Sequence, residues 1–287
     1  MAKSLNERII QYIAEMPSLP ITIGKVLEVC NNPYVNPVEL NQIISLDPVL
    51  TGKLLKLANS VYYGLNTKVS SIIKAITMLG LNTVKNLALS TAVLGTLPKN
   101  KLIKGINMED FWHHSLCVGV TSKLMAARQG VEKKYIEEHF TAGLLHDIGK
   151  IPINACLPSE YKEIIEISER DQKPMYMVEN EKLNLNHNIT GKIITDAWKL
   201  DSSITDTIFF HHDIGSYEGK HLNILCNVIA ADYFSVINGI GFAGTRNVVR
   251  PPDIVWNTLG FDDQVFNEIF DKVKIEIKKA KVFLQLS

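Results

Sequence analysis

The chain has little cysteine: Cys30, Cys117, Cys156 and Cys226 are scattered through 287 residues. None belongs to a CxxC pair, which fits reduced thiols better than a disulfide framework. Long apolar runs are missing too, and nothing approaches the roughly 18–20 residues of a membrane span. The opening "MAKSLNERIIQ" is polar and amphipathic, without the apolar stretch of a signal peptide. These absences lead us to expect a soluble, cytoplasmic protein with reduced thiols and no membrane partner. Net charge is also lacking, thirty basic residues balancing thirty acidic ones. No global field then draws the chain to nucleic acid or anionic lipid. Residues 1–100 hold nine Lys/Arg against five Asp/Glu, an excess too diffuse to argue a nucleic-acid partner. Low-complexity tracts, internal repeats and convincing period-two alternation are absent as well, which leaves little room for strands.

What remains is 46% hydrophobic and 21% charged, the composition of a packed chain rather than a disordered one. The apolar spacing is helical nearly throughout, and the fold class expected is all-α. "NPVELNQIISL" offers Asn36 as an N-cap with Pro37 at the first helical position, and "DPVLTGKLLKLANS" repeats the device with Asp47 and Pro48. "SSIIKAITMLG" runs from a Ser cap to Gly80, and "NTVKNLALSTAVLG" from Asn82 to Gly95, glycine being a common C-terminal stop. Residues 4–95 thus read as five or six short helices. The polar stretch 96–107 reads as a linker, dividing the chain into 1–98 and 99–287. Longer helical patterns follow near 108–129, 134–147, 158–169, 176–198, 202–212, 221–238 and 262–282, with a Gly- and Pro-marked loop at 239–253.

The second part carries the chemistry. "GLLHDIGKIPI" sets His146 and Asp147 at the end of an apolar helical segment, where burial without partners would cost several kcal/mol. All eight histidines lie between positions 113 and 221. His114 shares a helix face with Asp110, one turn earlier. His187 stands four residues before Gly191, His211 and His212 end "ITDTIFFHHD", and Asp232 interrupts the apolar run "ILCNVIAADYFSVI". Two readings stand at this point. The imidazoles and carboxylates of five helices form a transition-metal site, or each is a separately satisfied core or surface group. His113, His139 and His221 have no assignable partner and are taken as non-ligands. Phe111, Trp112, Trp198, Phe209, Phe210, Tyr62 and Tyr63 read most simply as core aromatics.

The blocks "SLP", "DPVLTGKLLKLANS" and "AITMLG", in that order, resemble the HDOD domain, the HD-related output domain of bacterial signalling proteins. The resemblance covers roughly residues 10–215. It implies an N-terminal helical bundle followed by an HD-type helical lobe, and a role in signal transduction through a signalling-protein partner or a phosphate-containing small ligand. The second lobe is similar to the HD and HD-GYP metal-dependent phosphohydrolases. By that resemblance the metal ligands are His114, His146, Asp147, His187, His211, His212 and Asp232, with Asp110 a looser match. They imply one to three transition-metal ions, iron or manganese. Asp147 and Lys150 of "HDIGK" become the catalytic pair: Asp147 bridges two metals that activate a water, and Lys150 neutralises a phosphate oxygen. The Gly-Tyr-Pro motif associated with cyclic di-GMP hydrolysis is missing, since the chain reads "HHDIGSYEGKHLN". The resemblance therefore favours a metal-bearing signalling module first. A phosphohydrolase or phosphodiesterase on a nucleotide or cyclic dinucleotide stands as the alternative.

Overall fold

Ser4 starts the first helix by exchanging hydrogen bonds with Glu7: its Oγ accepts from the Glu7 N–H and its own N–H donates to the Glu7 carboxylate. The same logic recurs along the chain. Asn36 Oδ1 accepts from Val38 N at 2.9 Å and Asp47 Oδ1 from Leu50 N at 2.9 Å, each with proline at the first helical position, as the sequence predicts. The computed structural model describes residues 3–32, 34–97, 105–247 and 249–285. Among these residues there are helices and no strands. The N-terminal part holds α1 (Leu5–Glu15), α2 (Ile21–Cys30), α3 (Pro37–Ser45), α4 (Pro48–Ala58), α5 (Ile72–Leu79) and α6 (Leu81–Thr96). Gly80, at φ +89°, turns α5 into α6 through 118°. The turn starts α6 one residue before the Asn82 expected as its beginning, and Gly95 lies inside the helix rather than ending it.

The expected linker falls mostly at 98–104, outside the described residues. After it come α7 (Met108–Arg128), α8 (Lys133–Leu145), α9 (Lys150–Cys156), α10 (Pro158–Asp171), α11 (Met175–Leu183) and α12 (His187–Ala197). They are followed by α13 (Ser202–Phe210), α14 (Leu222–Ile237), α15 (Asp253–Leu259) and α16 (Asp263–Ala280). Three departures from the sequence reading matter for the site. The pattern at 176–198 is two helices, broken where Asn184 adopts φ +53° and Asn186 caps the second. The pattern at 134–147 stops at Leu145, so His146 and Asp147 sit in a turn rather than on the helix. That turn runs directly into α9, which periodicity did not reveal.

One apolar core runs through both parts, from Ile9 to Phe283, and a second cluster lies between α7, α14, α15 and α16. Phe283, in a short 3-10 turn after α16, packs on Phe140 of α8 and Tyr62 from the N-terminal part, so Tyr62 is half-buried against the core. Polar contacts join the same parts: Lys85 pairs with Asp201, and Tyr63 donates to Glu137 Oε1 at 2.7 Å. No single helix among the described residues is long and apolar enough to cross a membrane.

The crossing of α7 and α8 brings His114 toward the His146 turn, and two glycines permit it. A Cβ on Gly143 would lie 2.9 Å from Gly119 Cα. Gly143→Ala is therefore expected to lower stability by about 1–3 kcal/mol, read from thermal or denaturant unfolding. Gly24, with nothing within 4 Å of its Cβ position, is the control. Gly24→Ala should raise stability by about 0.4–1 kcal/mol.

Candidate metal centre

Six elements deliver the expected residues to one place. His114 comes from the first third of α7, and His146 and Asp147 from the turn after α8. Lys150 opens α9, His187 opens α12, His211 and His212 follow α13, and Asp232 lies in α14. Asp147 is at the centre. Its Oδ2 lies 3.3 Å from His146 Nε2, 3.8 Å from His114 Nε2 and 2.6 Å from Lys150 Nζ. Its Oδ1 faces the other way, 3.4 Å from His187 Nε2 and 3.7 Å from His211 Nε2. Asp232 Oδ1 closes the first side, 3.1 Å from His114 Nε2 and 3.7 Å from His146 Nε2. Two sets of donor atoms result, each within 4.8 Å of one another: Asp147 with His187, His211 and His212, and Asp147 with His114 and His146.

The rings are oriented from behind. His146 Nδ1 is bonded to Gly143 O at 2.8 Å, and His211 Nδ1 to Ile208 O at 2.8 Å. His187 Nδ1 meets Glu179 Oε2 at 2.6 Å, and His114 Nδ1 meets Ser235 Oγ at 3.1 Å. Each ring has one nitrogen occupied by a protein group and the other aimed at Asp147. The Nε2 atoms of His114, His146, His187 and His211, together with Asp147 Oδ1, are buried and have no hydrogen-bond partner in the protein. The His114–Asp232 approach of 3.1 Å is a close contact out of line for a hydrogen bond. Neutral imidazoles and carboxylates are the donors that first-row transition metals take, and a nitrogen held from behind is how proteins orient a ligating histidine. The residues present fit a metal.

The electrostatics agree. Burial pushes the Asp147 and Asp232 carboxyls up, but the neighbouring histidines, and Lys150 beside Asp147, hold both well below the usual carboxylate range. Burial would lower His146, yet Asp147 and Asp232 raise it to about 10. The carboxylates thus stabilise positive charge where the ring nitrogens converge, and a metal cation can stand in place of the proton. Burial, then the adjacent imidazoles, hold His212 well below its ordinary value.

The close approach of these elements depends on Gly149 of "HDIGK". A Cβ there would come 1.9 Å from His187 O and 2.5 Å from Gly191 N, so only glycine lets the turn lie on the start of α12. Thr190 Oγ1 donates to Gly149 O at 2.8 Å across the same contact. Above the cluster a cavity of about 360 Å³ is lined by His114, Lys150, His211, His212 and Asp232, with Tyr176 and Tyr233 among its walls. Tyr176 stacks on His212 with ring centres 4.7 Å apart.

The remaining candidates lie elsewhere. Asp110 is exposed and outside both donor sets, its backbone carbonyl accepting from Phe242 N. His113 is half-buried and outside them too, and His221 Nε2 lies 3.0 Å from Ser202 Oγ. His139 is buried away from the donor sets, and burial lowers it to about 4. The sequence reading missed Glu179, a fully buried carboxylate. It also accepts from Tyr161 Oη at 2.6 Å and His187 N at 2.9 Å. The charged context "MVENEKLN" hid it, although Met175, Glu179 and Leu183 share one stripe at helical spacing.

With this geometry in view, the sequence was compared with known families and structures. The model of the HDOD domain matches residues 16–214. The chain belongs to the HDOD family. An HDOD domain protein of unknown function from Geobacter sulfurreducens superposes with TM-score 0.76 at 26% identity, over 97% of this chain and 96% of that one. A candidate phosphohydrolase from Shewanella amazonensis SB2B shares the fold, with TM-score 0.72 and 24% identity over 98% and 99% of the two chains. An uncharacterized protein of Treponema pallidum (strain Nichols) is 24% identical over 81% of this chain. The chain spans 44% of that relative's length.

Two expectations follow for this HDOD chain. Glu179→Gln should weaken metal binding by about 10–100-fold, measured by competition with a chelator, while leaving the far-ultraviolet circular dichroism of the helices in place. His139 gives a pH signature. Its folded ring stays neutral down to about 4, whereas the unfolded ring takes a proton near 6.5. The His139 contribution to stability should fall as pH drops through that window and flatten below it. Comparing denaturant unfolding of the wild type and His139→Gln should show the variant losing less, by at most about 3 kcal/mol.

Proposed function

We propose that this HDOD protein is a signalling module whose second lobe binds transition metal, iron or manganese, and through it a phosphate-containing small molecule. The observation that carries the proposal is the convergence of five buried, unpartnered donor atoms, of which those of His114 and His211 belong to residues lining a 360 Å³ cavity. His114, His146, Asp147, His187, His211, His212 and Asp232 would hold the metal. Bound there, it would act as a Lewis acid toward a phosphoryl oxygen. The chain supplies the rest. Lys150 Nζ lines the cavity and offers a buried positive charge to an anionic ligand. The Tyr176–His212 stack and the aliphatic side chains of Ile229 and Val236 give the walls an apolar surface that excludes water. For a signalling-protein partner, exposed apolar side chains of the N-terminal helices, among them Ile21, Leu46 and Val49, supply contact surface.

Turnover is the second reading, favoured by the two-sided placement of Asp147 and by Lys150 on one of its oxygens. One protein sharing this fold, from Shewanella amazonensis SB2B, is named for phosphohydrolase chemistry. Asp213, Ile214 and Gly215 line the cavity directly after His212, where a Gly-Tyr-Pro motif would follow the histidine pair. Cyclic dinucleotides are therefore one phosphodiester class among several.

Elemental analysis of the purified protein, followed by assays on a panel of nucleotides and cyclic dinucleotides, tests both readings. The wild type should retain iron or manganese, and Asp147→Ala should lose it. Any phosphodiesterase activity should fall by about a hundredfold or more in that variant. Metal at background in the wild type after anaerobic reconstitution would sink the metal reading. Bound metal with phosphate binding but no turnover on the panel would leave the binding module and remove the hydrolase.

A further inference from the structure

The two halves of the donor cluster are not equivalent. Four residues, Asp147, His187, His211 and His212, converge on one side, and a buried carboxylate, Glu179, stands behind His187. On the other side His114 and His146 face the Asp232 carboxylate but are backed by neutral groups, the Ser235 hydroxyl and the Gly143 carbonyl. The shared carboxylate differs in the same sense. Asp147 Oδ1, on the His187 side, has no hydrogen-bond partner in the protein, whereas Oδ2, on the His114 side, already holds the Lys150 ammonium at 2.6 Å. Lys150 is buried, only 3% exposed, so water screens little of its charge.

Charge accounting points the same way. Asp147, Asp232 and Glu179 oppose Lys150 around the cluster, leaving two negative charges that one divalent cation neutralises. Asp213 and Arg250 also line the cavity, but both are exposed and opposite in sign. A second divalent ion brings an uncompensated double positive charge into a buried site, which is strongly unfavourable without an anion. Lys150 lines the cavity as well as holding Asp147, so a phosphate entering there offers its ammonium an alternative partner.

We propose that Lys150 couples metal occupancy to phosphate. In the free protein one metal ion occupies the His187–His211–His212 half, while the ammonium on Asp147 Oδ2 keeps the His114–His146 half weak. A phosphate group draws Lys150 away from Asp147, and the second ion enters with that anion. This deepens, and rests on, the metal reading given above. It makes the complete centre a property of the ligand-bound protein.

The experiment is a titration of the full metal-free chain with Mn(II), following free ion by electron paramagnetic resonance, with and without inorganic phosphate. Without phosphate the wild type should bind one equivalent tightly and a second at least about tenfold more weakly. Saturating phosphate should tighten the second by about tenfold or more and leave the first nearly unchanged. Lys150→Met should bind both equivalents within about threefold of one another without phosphate, and Lys150→Arg, which keeps the charge, should retain the inequality. Two equal equivalents in the phosphate-free wild type, or a second equivalent indifferent to phosphate, would overturn the coupling while leaving the metal site standing. No uptake under either condition would overturn the metal reading itself. The wild-type comparison needs no variant, so it decides the matter even where Lys150→Met does not fold.

Discussion

Four buried imidazoles each give one nitrogen to a protein group and turn the other toward Asp147. An unpartnered buried polar atom costs about 1–3 kcal/mol, and the donor cluster contains five. That sum is comparable with the whole net stability of a typical domain, about 5–15 kcal/mol. A fold does not gather such atoms at one point without something to satisfy them, and imidazole and carboxylate donors suit a cation. The backing groups then have a clear role: they fix each ring, so the donor atoms stay converged at the expense of their own hydrogen bonding.

The surrounding architecture follows from holding that convergence. Gly119 and Gly143 let α7 and α8 cross closely enough for His114 to reach the turn after α8. Gly149 lets that turn rest on the first residues of α12, where His187 is the first helical residue. The break at Asn184–Asn186 is equally necessary. A continuous helix from 176 to 198 would keep Glu179 and His187 on one rod, two turns apart, whereas the break folds the His187 ring back onto the Glu179 carboxylate at 2.6 Å. Local backbone exceptions and the donor geometry are one design.

Much of the fold was legible in the sequence because its signals are local. Asn36–Pro37 and Asp47–Pro48 mark helix starts by chemistry confined to three or four residues, and the structure uses both as caps. The helix α9 and the break in 176–198 were not legible, because the apolar period continues across both turns. The candidate site was legible in a different way. Single histidines on helix faces favoured core packing over ligation, and only the family blocks joined His114, His146, His187, His211, His212 and Asp232 into one set. Glu179 escaped because its meaning lies in a contact made across the Asn184 turn. The α11 stripe of Met175, Glu179 and Leu183 says the carboxylate is buried, and nothing local says what it is buried against.

The limits of the family match add a last constraint. The HDOD family model ends at residue 214, yet Asp232 and much of the cavity wall, including Ile229, Tyr233, Val236, Ala243 and Arg250, come from beyond it. Phe242 N bonds to Asp110 O, and Gly241 lies so near the α7 backbone that a Cβ would come 2.2 Å from His114 N. The later segment is thus tied to the helix that carries His114 rather than hung beside it. The matched region supplies most of the candidate donors, and the following segment supplies a carboxylate and a wall. The cavity above the donors is therefore built jointly by residues inside the matched region and by a segment beyond it, so the matched region alone does not define the site.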